Sequence, residues 1–151
     1  MDGASPSLLQ AEVDPLSRDG RADGEHLRIL LVDDDVLIQD TVGSMLHFLG
    51  YNPAVVSTGE EALAALEAGL QPAVVILDMD MPGLGGAATL PQIRVLRPGL
   101  PILIATGRVD ATVMNLLRCH PQVGLMPKPF QLGDLRRHLS EWLLSCPATG
   151  G

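Results

Sequence analysis

Short apolar runs alternate with helical patterns along most of the chain. The runs carry almost no polar alternation, which is typical of strands in a parallel sheet that is covered on both faces. The five predicted strands are Arg28–Val32, Pro53–Val56, Ala73–Leu77, Ile102–Ala105 and Gly124–Met126.

Helical periodicity follows each of these runs. Asp35 and Asp110 stand where they can cap the first and the fourth helix. Pro91 lies inside the third pattern, where it either kinks the helix or belongs to its first turn. The predicted helices are Val36–Leu49, Thr58–Leu70, Ala87–Leu96, 111–118 and Leu132–Leu144.

The order of elements is strand then helix, five times over. This order predicts an α/β protein with a doubly wound parallel sheet and right-handed crossovers. Such sheets bind ligands beyond the carboxyl ends of their strands. Polar residues that directly follow a strand are therefore the candidate site residues.

Length and charge narrow the possible functions. The chain has 151 residues, room for one domain, and a net charge of −8, which disfavours binding to nucleic acid or to anionic membranes. No apolar run is long enough to span a membrane, and the N-terminus lacks a signal-peptide pattern. We expect a cytoplasmic protein with no nucleic-acid or membrane partner.

The two ends of the chain differ from its centre. Residues 1–26 are rich in Gly, Ser, Asp and Pro and have no helical or strand period, so we expect a disordered leader. We expect the folded domain to span residues 27–144, followed by a flexible tail over 145–151.

Charged side chains follow three of the predicted strands. Asp33 and Asp34 follow the first strand, Asp78 follows the third and Lys128 follows the fifth. Parallel strands bring these residues into one crevice, where close carboxylates repel one another by about 4 kcal/mol per pair. A hard cation, Mg²⁺, relieves that repulsion, and a lysine beside it suits phosphate.

Four sequence stretches together resemble the receiver domain of two-component response regulators. The resemblance covers residues 28–143 and implies a flavodoxin-like (βα)5 fold with a five-stranded parallel sheet. The stretches are ILLVDDD (29–35), VVILDMDMPGLGG (74–86), ILIATG (102–107) and LMPKPF (125–130).

The resemblance implies a metal site. By position, Asp33 and Asp34 match the acidic pair of the family and Asp78 matches its third acid; these hold Mg²⁺ in that family. A main-chain carbonyl two residues beyond the third acid, here that of Asp80, is a further ligand.

The resemblance also implies a phosphorylation site. Asp78 matches the residue that accepts a phosphoryl group from a histidine kinase or a histidine phosphotransfer protein. Thr106 matches the switch hydroxyl and Lys128 the invariant lysine. The family likeness further predicts a cis bond between Lys128 and Pro129, and no catalysis beyond the domain's own phosphorylation and dephosphorylation.

Two departures from the family pattern bear on switching. Leu125 stands where the family usually has an aromatic residue, so we expect changes to spread by backbone movement and packing. Asp80 and Arg108 are expected to pair across the mouth of the crevice.

No effector segment follows Leu143 in the sequence, so we expect a stand-alone receiver, or one cut from a longer hybrid kinase. The signal would pass to a protein partner or a second copy through the face formed by 111–118, 124–127 and 132–144. Arg118, Arg136 and Arg137 are the expected polar contacts there.

Two other functions stay open. Asp78-Met79-Asp80 after an apolar strand also resembles the nucleophile motif of haloacid-dehalogenase-type phosphatases. A receiver-like interaction module that is never phosphorylated is the other possibility.

Overall fold

The computed structural model describes residues 27–80 and 85–145. The expected leader at 1–26 and residues 146–151 of the expected tail lie outside this range, whereas Ser145 is the last residue of a helix. The strands are β1 Arg28–Val32, β2 Asn52–Val56, β3 Val74–Asp78, β4 Ile102–Thr106 and β5 Val123–Pro127. The helices are α1 Val36–Phe48, α2 Gly59–Glu67, α3 Gly85–Leu96, α4 Ala111–Cys119 and α5 Leu132–Ser145.

All five strands are parallel and form one sheet in the order β2-β1-β3-β4-β5. Leu31 of β1 lies opposite Val55 of β2 on one side and opposite Ile76 of β3 on the other. The predicted doubly wound α/β fold is confirmed, and the ends of the predicted strands differ from the observed ones by one residue at most.

Apolar layers cover both faces of the sheet because successive side chains of a strand point to opposite sides. Leu30, Val75 and Ile104 belong to the core under α2, α3 and α4. Leu31 and Ile76 belong to the second core, under α1 and α5. Burying each such side chain contributes about 1.5–3 kcal/mol, so the two layers hold the strand ends firmly in place.

Side-chain caps start α1, α2 and α4, and the cap of α2 is Thr58. Asp35 accepts hydrogen bonds from the N–H groups of Leu37 and Ile38, and Asp110 accepts one from Val113, so both predicted caps are confirmed. Helix α3 begins two residues earlier than expected, at Gly85, which places Pro91 in its interior and not in its first turn. Within 27–80 and 85–145, no helix has the length and hydropathy needed to cross a membrane.

Candidate functional site

The carboxyl end of the sheet brings together two buried acids and a lysine. Asp33 follows β1, Asp78 ends β3 and Lys128 follows β5. The Lys128 Nζ lies 2.9 Å from Asp78 Oδ1 and 3.6 Å from Asp33 Oδ2. Asp33 is only 2% exposed and Asp78 only 3%. The sequence-predicted convergence of these three residues is therefore present in the structure.

Asp34 completes an acidic cluster with the two buried acids. Asp33, Asp34 and Asp78 each offer one carboxylate oxygen, and these oxygens lie within 4.8 Å of one another. Asp34 is exposed, so the cluster opens towards solvent on its side. Clustered carboxylate oxygens that solvent can reach are a donor set that suits a hard divalent cation.

Asp80 lies beside this cluster without joining it through its side chain. Its side chain is exposed, and its backbone N–H donates a hydrogen bond of 3.1 Å to Asp78 Oδ1. Oδ1 thus accepts from both Lys128 and Asp80.

Hydrogen bonds fix the orientation of Asp33. Its N–H donates to the Val56 carbonyl at 3.1 Å, and its Oδ1 accepts from the Asp35 N–H at 2.9 Å. Its own carbonyl accepts from the Gln39 side-chain amide at 2.6 Å. The remaining oxygen, Oδ2, faces Lys128.

The charges of the cluster act on one another. Burial raises the pKa of Asp33, and the negative charges of Asp78 and Asp34 add to this increase, against the Asp35 N–H and the Lys128 charge. Burial alone would lower the pKa of Lys128, but its hydrogen bond to Asp78 and the surrounding carboxylates outweigh burial, so that pKa is raised. The lysine therefore stays charged, and the ionised form of Asp33 is less favourable here than in water.

Thr106 ends β4 and is buried, but its hydroxyl bonds to the following loop and not to Asp78. It donates to the Arg108 carbonyl at 2.9 Å and accepts from the Arg108 N–H at 3.1 Å. Thr106, Asp80 and Arg108 line one cavity of about 560 Å³. In the part of the chain that the structure describes, no ion pair joins Asp80 to Arg108, so the expected pairing across the mouth is wrong.

A close backbone contact holds the start of α3 against the end of β3. A Cβ atom added at Gly86 would lie 2.6 Å from the Asp78 carbonyl oxygen and 2.8 Å from Met79 Sδ. Gly85 has a φ of 71°, which favours glycine. The glycine pair predicts a turn at this point, but its close approach to the strand that carries Asp78 could not be inferred from the sequence.

The loop after β5 also follows expectation. The Lys128–Pro129 bond is cis, which confirms that prediction. Leu125, at the position where the family usually has an aromatic residue, packs partly buried against the core under α2, α3 and α4.

A protein-family model described as the response regulator receiver domain matches residues 29–140. The chain belongs to this family. The match spans nearly all described residues and includes every candidate site residue. Neither it nor the strand order favours the haloacid-dehalogenase alternative.

Several curated relatives of this receiver domain come from mycobacteria. The transcriptional regulatory protein TrcR of Mycobacterium tuberculosis is 32% identical over 83% of this chain and 49% of its own length. The response regulator MprA of Mycolicibacterium vanbaalenii is 35% identical over 72% of this chain and 47% of its own length. The chain thus spans about half the length of these curated relatives.

Solved structures of receiver domains share the fold. The chemotaxis protein CheY4 of Vibrio cholerae has a TM-score of 0.73 and 27% identity, and the match covers 78% of this chain and 99% of that one. The receiver domain of a sensor histidine kinase from Pseudomonas aeruginosa has a TM-score of 0.71 at 27% identity, over 78% of this chain and 98% of that one. The latter was solved with a magnesium ion coordinated in its active-site cleft.

Proposed function

We propose that Asp78 accepts a phosphoryl group from the histidine of a kinase or of a histidine phosphotransfer protein. The observation that carries this proposal is the placement of Lys128 Nζ 2.9 Å from Asp78 Oδ1, within a cluster of three carboxylates at the carboxyl end of the sheet. Phosphoryl transfer depends mainly on positioning and charge stabilisation, and this cluster supplies both.

The reaction needs no separate acid or base from the protein. One Asp78 carboxylate oxygen bonds to phosphorus while the bond between phosphorus and the donor's histidine nitrogen breaks. The electron pair of that bond stays on the imidazole, which then takes up a proton from solvent. Both hydrogen bonds found among the described residues fall on Oδ1, which favours Oδ2 as the attacking oxygen.

The donor set fits Mg²⁺. Asp33, Asp34 and Asp78 would hold the ion, with the main-chain carbonyl of Asp80 as a further ligand. When bound, Mg²⁺ supplies positive charge that offsets the developing charge on the phosphoryl oxygens. Burial, together with the charges of Asp78 and Asp34, raises the pKa of Asp33, and a bound cation would favour its ionised form.

Thr106 would couple phosphorylation of Asp78 to a conformational change. Phosphorylation adds about two negative charges at Asp78, together with strong hydrogen-bond acceptors. To donate to them, the Thr106 hydroxyl must leave the Arg108 carbonyl, which would move the loop that leads into α4. Leu125 cannot act as a swinging ring, so the change would spread through backbone and packing.

The output face would be formed by α4, β5 and α5, within 111–118, 124–127 and 132–144. Arg118, Arg136 and Arg137 are exposed on its helices and would contact a protein partner or a second copy. Some relatives are named transcriptional regulatory proteins, and the chain spans only about half of their length. The absence of a nucleic-acid partner therefore stays a prediction for this domain, as do its cytoplasmic location and its lack of other catalysis.

Acetyl phosphate with Mg²⁺ tests the proposal. Wild-type protein and Asp40→Ala, which changes an exposed aspartate of α1, should both gain one phosphoryl group by intact mass. Asp78→Ala should gain none while keeping its fold by circular dichroism. Labelling of Asp78→Ala at the wild-type rate would contradict the proposal.

Amide exchange with and without beryllofluoride tests the switch. Differences should fall within residues 106–126. Changes confined to α1 and α2 would show that the output face is misplaced.

A further inference from the structure

Gln39 of α1 links the acidic loop after β1 to the loop that precedes α2. Its side-chain amide donates to the Asp33 carbonyl at 2.6 Å and to Ser57 Oγ at 3.0 Å. The residue is half-buried and none of its atoms belongs to the acidic cluster. We propose that Gln39 is a positioning residue for the metal site, and that it sets the orientation of the peptide unit joining Asp33 to Asp34.

The orientation of that peptide unit determines the positions of the Asp33 and Asp34 side chains. The carbonyl that Gln39 holds belongs to the bond between Asp33 and Asp34, two of the three acids in the cluster. The Asp33 N–H is already held by Val56. That N–H belongs to the preceding peptide unit, so with the carbonyl held as well the peptide units on both sides of the Asp33 Cα are fixed, and the two carboxylates keep their separation.

Ser57 anchors Gln39 from a rigid point. The Ser57 N–H donates to Glu61 Oε1 at 2.8 Å, and the Glu61 N–H donates to the Thr58 hydroxyl at 3.0 Å. This arrangement is a variant of the capping box at the start of α2, in which the Glu61 carboxylate accepts from the residue before the N-cap Thr58. The Ser57 hydroxyl is therefore presented by a fixed helix end, and Gln39 transmits that position to Asp33.

The inference rests on the proposed function, because it concerns the same metal site. Residues that orient a metal ligand typically change metal affinity 10–100-fold when they are replaced. We expect Gln39→Met, which keeps the length of the side chain and loses the N–H donors, to weaken Mg²⁺ binding about tenfold. Gln92→Met is the matched control, since Gln92 is exposed on α3 and bonds only within its own helix, to Ala88.

Calorimetric titration with Mg²⁺ alone measures that affinity without any activity. Gln39→Met should bind about tenfold more weakly, and Gln92→Met should match the wild type. Ser57→Ala should show a smaller loss, and that loss should disappear in the Gln39→Met background, because the serine acts only through the glutamine. Wild-type affinity in Gln39→Met would overturn the proposal.

Kinetics separate positioning from a general loss of structure. With acetyl phosphate, Gln39→Met should need about tenfold more Mg²⁺ for half-maximal rate, yet reach a rate near that of the wild type at saturation. A reduced saturating rate with an unchanged Mg²⁺ midpoint would contradict the positioning role. If the wild type bound Mg²⁺ and Gln39→Met bound it more weakly, but Asp78 took no phosphoryl group, the proposed function alone would fail.

Discussion

The two ends of the parallel sheet use charge in opposite ways. At the carboxyl end, Asp33 and Asp78 are buried beside a single lysine, and the pKa of Asp33 is raised by its burial and by the charges of Asp78 and Asp34. At the amino end, Arg94 in the last turn of α3 and Arg97 just after that helix donate hydrogen bonds to neutral main-chain carbonyls.

At the amino end, the terminal nitrogens of two arginines donate hydrogen bonds that join chain segments, whereas Arg94 Nε is buried without a partner among the described residues. Arg97 donates to the carbonyls of Leu66 and Leu70, at the end of α2, at 2.7 and 2.8 Å. Arg94 donates to Leu100 at 2.7 Å and to Pro121 at 2.9 Å, and so joins the segments before β4 and β5. Cations at the carboxyl ends of helices also interact favourably with the helix dipole.

Contacts for stability and groups for function lie at opposite ends of one sheet. The arginines stabilise the folded state through charged hydrogen bonds that join the end of α2 and the segments before β4 and β5. The acids concentrate like charge where a ligand can relieve it, which costs stability in the absence of that ligand. Replacing an arginine at the amino end should therefore lower the free energy of unfolding and leave phosphorylation unchanged. Replacing a buried acid at the carboxyl end should raise the free energy of unfolding in the absence of metal.

The largest expected effect is at Lys128. Lys128→Met should slow phosphorylation of Asp78 by about 100-fold, because a preorganised positive group beside the transferred phosphoryl oxygens is lost. The rate of labelling by acetyl phosphate at saturating Mg²⁺ measures this. Arg136→Met, which removes an exposed cation of α5, is the control and should react at the wild-type rate. A Lys128→Met rate within a few-fold of the wild type would remove Lys128 from the chemistry.

At the amino end, Arg97→Met should lower the free energy of unfolding by about 2 kcal/mol, because two charged hydrogen bonds to carbonyls are lost. Urea unfolding measures the change. Arg136→Met should stay within about 0.5 kcal/mol of the wild type. The Arg97→Met protein, once folded, should still be phosphorylated at the normal rate; a slowed rate would show that the two ends are not separate.

Mg²⁺ should stabilise the carboxyl end by mass action. At ten times its dissociation constant, the ion should add about 1.4 kcal/mol to the free energy of unfolding. The gain should persist in Asp40→Ala and vanish in Asp34→Ala. An equal gain in Asp34→Ala would place the ion elsewhere on the protein.

The smallest effect concerns the pH dependence at Asp33. Because its pKa is raised in the folded state, its contribution to stability is fully present below the ordinary value of 3.8 and is lost as the pH rises through the raised pKa. Without metal at neutral pH, Asp33→Asn should therefore be more stable than the wild type, and the difference should shrink on acidification. Urea unfolding at several pH values in a chelator tests this, with Asp40→Asn as the control; a gain that grows on acidification would contradict it.

The convergence of charged residues at the carboxyl end of the sheet could be predicted from the sequence, because it depends only on where the strands end. Once five parallel strands are predicted, Asp33, Asp78 and Lys128 must meet at one edge. The cis bond before Pro129 followed from the family resemblance and not from local preference, which favours trans.

The hydrogen bonds at the amino end of the sheet, and those that position Asp33 at the other end, could not be predicted from the sequence. Arg97 bonds to Leu66 across 31 residues, and Gln39 bonds to Ser57 across 18. Long polar side chains such as these leave no periodic signal, and their partners depend on how the helices dock. The expected ion pair between Asp80 and Arg108 failed for the same reason, since proximity in a crevice does not fix side-chain direction.

The central claim, that the carboxyl end of the sheet is built to phosphorylate Asp78, is tested most directly in the unmutated protein. Borohydride reduces an aspartyl phosphate to homoserine, so peptide mapping after treatment with acetyl phosphate, Mg²⁺ and borohydride locates the modified residue. We predict homoserine at Asp78 and only when Mg²⁺ is present. Modification of Asp33, Asp34 or Asp80 instead, or none at all, would contradict the account.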